Sequence, residues 1–289
     1  MHGSAFVCSR EIVMKCASVL MTWVVVTSCL MPGLAVAHDP TVPEVVAEDE
    51  PSPTELARQD QNPITRFYVM RFENNVQLGY GPHDEAINFF RFQPLIPIEL
   101  TSNWTLLTRV VVPVVHQPWP ETNDGLGDLS MIAFLTPARS REFTWGIGPA
   151  MLLPTATKPT LGTEKFSAGP AVAAVYTGAR WVFGGVAQNL WSFTGDDDRL
   201  DVHVMTLRPL VNYNLPDGWY LTTSPSLVAN WEVDDADRWL VPVGGGLGKV
   251  FRLGRQRLSS TLESYYHVER PELGPEWQIR LQLSLLYPD

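Results

Sequence analysis

The sequence predicts an all-β protein: an antiparallel transmembrane β-barrel of about 12 strands, with short periplasmic turns and longer outer loops. Three observations predict it. From Ile64 onward the chain is a succession of short β-rich runs cut by turn signals, with no convincing helix between them. The connections alternate between tight and long. Tryptophans gather at the ends of the runs.

Residues 1–37 read as a secretory signal peptide. Lys15 is the basic segment, an apolar run follows from about Ala17 to Leu30, and Ala35-Val36-Ala37 is a small-x-small cleavage site. That run is too short to anchor the chain. Met14 is an alternative start, since residues 1–13 add nothing a signal needs. The competing reading is a lipoprotein leader, because Val26–Cys29 ("VTSC") loosely resembles its cleavage box. Cys8, Cys16 and Cys29 all precede Ala37, so a chain cleaved there has no cysteine, no disulfide and no thiolate chemistry. Cleavage also removes Arg10, Lys15 and Glu11 from the 21 basic and 31 acidic residues, leaving a net charge of −11. That charge argues against nucleic acid as a partner. No later stretch is long and apolar enough for a membrane helix. A mean hydropathy of −0.02 does not exclude the membrane, because a barrel alternates and averages out.

Residues 38–63, rich in Pro, Glu and Asp, read as a disordered acidic periplasmic arm. The barrel is expected over 64–289. Its runs span 65–80, 85–100, 104–116, 129–137, 143–154, 165–176, 181–193, 201–215, 219–232, 238–251, 257–269 and 276–287. "TSN", "TGAR", "PDG" and "RLGRQ" are tight joints; "QPWPETNDGLGD", "TATKPTLGTE", "TGDDDRL" and "RPELGP" are longer and mostly more acidic. An even strand count puts both termini at the short-turn end. Of the nine tryptophans after Ala37, only Trp119 lies in a loop. Trp219 and Trp231 share a face and stand roughly 30 Å apart along the membrane normal at the usual rise and tilt, so aromatic belts at both interfaces fit.

Period-2 alternation assigns the faces. In "WQIRLQLSLLYPD", Ile279, Leu281, Leu283, Leu285 and Tyr287 alternate with Gln278, Arg280, Gln282 and Ser284. In 257–269, Leu258, Leu262, Tyr266 and Val268 point out; Ser259, Thr261, Glu263 and His267 point in. Pro94, Pro97, Pro113, Pro149, Pro170, Pro209, Pro225 and Pro242 fall inside runs. Proline cannot donate to a ladder, so bulges are expected at these sites.

"QPLIPIELTSNWTLLTRVVVPV", "GLGDLSMIAFLTP", "WGIGPAMLLPTAT", "LGTEKFSAGPAVA", "QNLWSFTGDDDR", "LRPLVNYNL" and "GPEWQIRLQLSLLYP" resemble a family of bacterial barrels often labelled "neuromedin U" or "transporter", related to barrels grouped with a phenol-degradation pathway. The resemblance spans about Asn62 to Pro288. It implies a twelve-stranded outer-membrane barrel and supplies no catalytic residues.

Arg91, Arg109, Arg208, Glu263, His267 and Arg280 are the lumen-lining candidates, with Arg238 beside them; their alternative role is structural, as charges paired inside the bore. Asp196, Asp197 and Asp198 are weak candidates for a cation site at the outer rim, against the plainer reading of a solvated turn. "GLGDLS" lacks the spacing of a phosphate loop. A hydrolase would need a serine beside His116, His203 or His267, and none is tied to them by spacing. The expectations are therefore no enzyme, no cofactor and no metal. Expected partners are outer-membrane lipid, the barrel-assembly machinery acting through the C-terminal strand, and a small organic solute. The function read is passage of a small molecule; the rivals are a plugged structural or binding barrel and a lipid hydrolase.

Overall fold

The computed structural model describes residues 52–139 and 142–287; the predicted leader and residues 38–51 lie outside them. Twelve strands close one antiparallel sheet. They are β1 Tyr68–Tyr80, β2 Glu85–Thr101, β3 Trp104–Gln117, β4 in two pieces (Asn123–Leu126 and Leu129–Pro137), β5 Phe143–Leu153, β6 Lys165–Thr177, β7 Trp181–Gly195, β8 His203–Asn214, β9 in two pieces (Trp219–Thr223 and Leu227–Asn230), β10 Trp239–Leu253, β11 Gln256–Glu269 and β12 Trp277–Tyr287. Each pairs with its sequence neighbours, and β1 pairs with β12 from Tyr68↔Tyr287 to Leu78↔Trp277, which leaves no free edge. Ser102-Asn103 and Gly254-Arg255 are turns at one end; 154–164, 196–202 and 231–238 are the longer connections at the other.

The faces follow the alternation. On β12, Trp277, Ile279, Leu281 and Tyr287 are exposed, while Gln278, Arg280 and Ser284 are buried. Trp104, Trp145, Trp181 and Trp219 are exposed at the short-turn end; Trp191, Trp231 and Trp277 are exposed at the other. An exterior of exposed leucine, isoleucine and valine between two tryptophan belts is a lipid-facing surface.

The prolines are accommodated differently from expectation. Bulges are not the rule. The β2–β3 ladder omits Pro94 and resumes in the same register, from Phe92↔Val112 to Leu95↔Arg109. The β4–β5 and β6–β7 ladders likewise skip Pro149 and Pro170 without slipping. Pro225 falls in the break that divides β9, and only Pro242 stands at a register shift, against β11. A missing donor thus costs rungs locally while the flanking rungs hold the register.

One further feature adds to the sequence reading and one expectation is corrected. The inward face is not polar all round: Leu107, Ile132, Phe134, Ala150, Ala171, Ala173, Val186 and Leu190, from β3 to β7, form a buried apolar cluster inside the barrel, joined by Ile64. And the acidic arm does not run free to residue 63. Pro53–Asp60 is a helix, α1, capped by Ser52, whose side chain accepts from the Glu55 N–H at 3.2 Å. Leu56 and Ala57 are buried against Val69, Leu95, Tyr220, Val250 and Leu286, all inward residues near the short turns. The helix therefore sits within the short-turn mouth. Burying Leu56 alone is worth about 2 kcal/mol, enough to hold a two-turn helix that propensity would not.

Candidate functional site

The other half of the bore is charged. Its groups come from β1, β2, β3, β8, β9, β11 and β12, each placed by alternation on the inward register. Glu73 accepts from Arg91 Nη1 at 2.6 Å and Gln93 Nε2 at 3.2 Å. Glu263 accepts from Arg280 Nε at 2.8 Å and from the Tyr265 hydroxyl at 2.6 Å. Arg280 also donates to the Ser224 carbonyl at 2.8 Å, bridging the break in β9. Asp60, at the end of α1, accepts from Arg71 Nη2 at 3.3 Å, and Arg71 donates to Ser284 Oγ. Gln61 and Asn214 exchange two hydrogen bonds, at 2.8 and 3.2 Å. Tyr220 reaches Ser259 and Thr261 at 3.0 and 2.9 Å. Its ring lies over Gly248, where any Cβ would collide with it.

These groups surround a cavity of about 90 Å³, with Asp60, Gln61 and Pro63 on one side and Arg109, Arg208 and Val186 among its walls. A separate cleft of about 400 Å³ lies beside α1, lined by Arg58, Gln59, Glu142, Thr144 and Thr177. Each carboxylate of the cavity wall has its own arginine: Asp60 with Arg71, Glu73 with Arg91, Glu263 with Arg280. Among the described residues, Arg208 donates only to Ser226 Oγ, at 2.9 Å. Arg109 has no hydrogen bond or ion pair among the described residues, although its Nε is buried.

Four of the six predicted lumen residues thus line one cavity: Arg109, Arg208, Glu263 and Arg280; Arg91 does not line it but pairs with Glu73, which does. His267 points inward but is buried towards the long-loop end and does not line the cavity. Arg238 pairs with Asp235 and lies over the Trp231 ring at 5.2 Å, at the outer rim. Arg71 and Glu73 were missed although they occupy the inward register of "YVMRFENNVQL"; Asp60 was missed because α1 was. In the 196–198 loop, the Asp196 carboxylate accepts from the Asp198 N–H at 2.9 Å, and among the described residues no three His, Cys, Asp or Glu are gathered for a metal. At the outer rim His116 Nδ1 lies 2.6 Å from Asp124 Oδ1, but no serine hydrogen bonds to His116, His203 or His267 among the described residues.

No protein-family model and no curated protein sequence matches the chain. Solved structures do. An outer membrane channel from Pseudomonas putida F1 aligns with a TM-score of 0.58 at 17% identity, over 76% of this chain and 94% of that one. Outer membrane phospholipase A from Escherichia coli aligns at 0.44 and 14% identity, over 82% and 98%. The CymD monoaromatic hydrocarbon channel aligns at 0.44 and 8% identity, over 82% and 91%. The first likeness agrees with the closed sheet and the two aromatic belts: the fold is that of an outer-membrane β-barrel.

Proposed function

We propose that the protein is an outer-membrane channel for a small organic solute, closed at its periplasmic mouth by α1. One observation carries the reading: the bore has an apolar half and a charged half, and an open cavity lies directly against α1. A structural barrel with no passenger has no need of uncompensated arginines facing a cavity. The motif resemblance to the barrels labelled "transporter" points the same way, as does the channel role of the Pseudomonas putida barrel. The cleft beside α1 gives the solute a periplasmic side to leave by.

The second reading is a plugged, non-conducting barrel, favoured by the buried Leu56 and by the double hydrogen bond between Gln61 and Asn214. Bilayer recording separates the two. The full chain is expected to conduct in small or brief openings, and a chain lacking 38–60 in larger, sustained ones. If neither passes current nor lets small solutes swell liposomes, the plugged barrel is right. With His116 lacking a serine, the hydrolase reading has no support in the geometry.

A further inference from the structure

The charge of the cavity wall does not balance. Arg71, Arg109, Arg208 and Arg280 stand against Asp60, Glu73 and Glu263, and Glu73 is already paired with Arg91 from outside the wall. The three carboxylates are each taken by an arginine on a neighbouring element. Among the described residues Arg109 and Arg208 have no ion-pair partner; the field of Glu73 reaches both, and that of Arg208 reaches Arg109. Two guanidinium groups without ion-pair partners do not face one cavity at rest unless something negative or well solvating sits between them. Val186 and Leu210, both buried, line the same cavity, and Val186 belongs to the apolar half of the wall.

We propose that Arg109 and Arg208 form a binding site for the carboxylate of a small organic acid, its apolar body lying toward Val186 and Leu210. The planar fork of arginine suits a carboxylate, and Ser226 fixes the Arg208 side chain by its Nε, leaving its terminal nitrogens for the ligand. A cavity of about 90 Å³ exceeds the space of a single water several-fold, so a few heavy atoms beyond the carboxylate fit. The site rests on the channel reading for its place on a path, though not for its existence.

The test uses the full refolded chain in detergent, with butyrate and benzoate as probes in calorimetric titration. Saturable binding of at least one is expected. Butyramide and benzamide, which keep the shape and lose the charge, should bind at least about tenfold more weakly. Arg109→Gln and Arg208→Gln should each weaken acid binding about tenfold while the barrel remains heat-modifiable on gels. The proposal is overturned if neither acid binds saturably, if the amides bind as well as the acids, or if sulfate at equal concentration displaces the acid, which would mark a site for inorganic oxyanions. Should the glutamine variants fail to fold, the acid-against-amide comparison on the unaltered chain still decides. Acid binding in a protein that never conducts would keep the site and remove the channel.

Discussion

At the scale of single residues, charges on the inward face are not equivalent, because some are paired and some are not. Glu263 holds Arg280 at 2.8 Å with both side chains almost fully buried. Glu263→Gln leaves Arg280 uncompensated and should cost roughly 3–5 kcal/mol, read as a lower temperature for loss of gel heat-modifiability. Arg109→Gln removes a cation that has no hydrogen-bond or ion-pair partner among the described residues, so its folded barrel should be as stable as the parent or more so. Leu262, one position from Glu263, is exposed on the lipid face, and Leu262→Arg should cost roughly 2–4 kcal/mol if it lies near the midplane. Equal effects of Glu263→Gln and Arg109→Gln on the transition would contradict the pairing. Outside the membrane, Lys165 holds the Asp201 carboxyl below its usual range by a 2.7 Å hydrogen bond, with Ser192 assisting. A depressed carboxyl stabilises the folded form above the unfolded value and loses that effect as pH falls through the folded value. The protection of the Val202 amide against exchange, taken relative to its intrinsic rate at each pH, should therefore fall in acid and stay unchanged between neutral and mildly alkaline pH, since its N–H donates to Ser192 Oγ.

At the scale of elements, all twelve strands were legible because period-2 alternation on an antiparallel ladder depends only on which face meets lipid. Residue 279 and residue 280 could be assigned to opposite faces with no knowledge of their neighbours. The apolar half of the bore was not legible by the same rule. Phe134 and Val186 alternate with residues that carry no polar side chain, Ala133 and Leu135, Gly185 and Ala187, so their runs have no polar partner face to mark which side is inward. α1 was hidden by composition: the arm is acidic and proline-rich, and its helix is too short to stand alone. Yet "SPTE" carries a capping pattern, with Ser52 three residues before Glu55 and Pro53 at the first helical position. Deleting 276–289 should abolish insertion, because β12 pairs with both β1 and β11 and its loss opens the sheet. Deleting 38–60 should leave insertion intact, because α1 contributes no rung to the ladder. Heat-modifiability of the two truncated proteins checks both, and a folded barrel without β12 would refute the closure.

At the scale of the whole molecule, orientation follows from how the connections are distributed. Both described ends of the barrel lie on the short-turn side, with α1 seated in that mouth, and the long connections lie on the other. A chain exported and then inserted with its termini inside the envelope must present 196–202 and 231–238 outward and Ser102-Asn103 inward. The cysteine distribution gives a clean way to see this. The three cysteines all precede the expected cleavage site at Ala37, so a processed protein carries no thiol of its own. A single cysteine introduced at exposed Asp197 should react with a membrane-impermeant maleimide on intact cells. One introduced at exposed Asn103 should react only after the outer membrane is permeabilised. Reaction at Asn103→Cys alone on intact cells would turn the barrel over and place α1 at the cell surface, so that the helix closing the bore would face the medium. Labelling of the unaltered chain would show instead that the leader is retained with its free thiols; the lipoprotein alternative, whose Cys29 sulfur is capped by lipid as a thioether, would not label, and N-terminal sequencing beginning at His38 would exclude both.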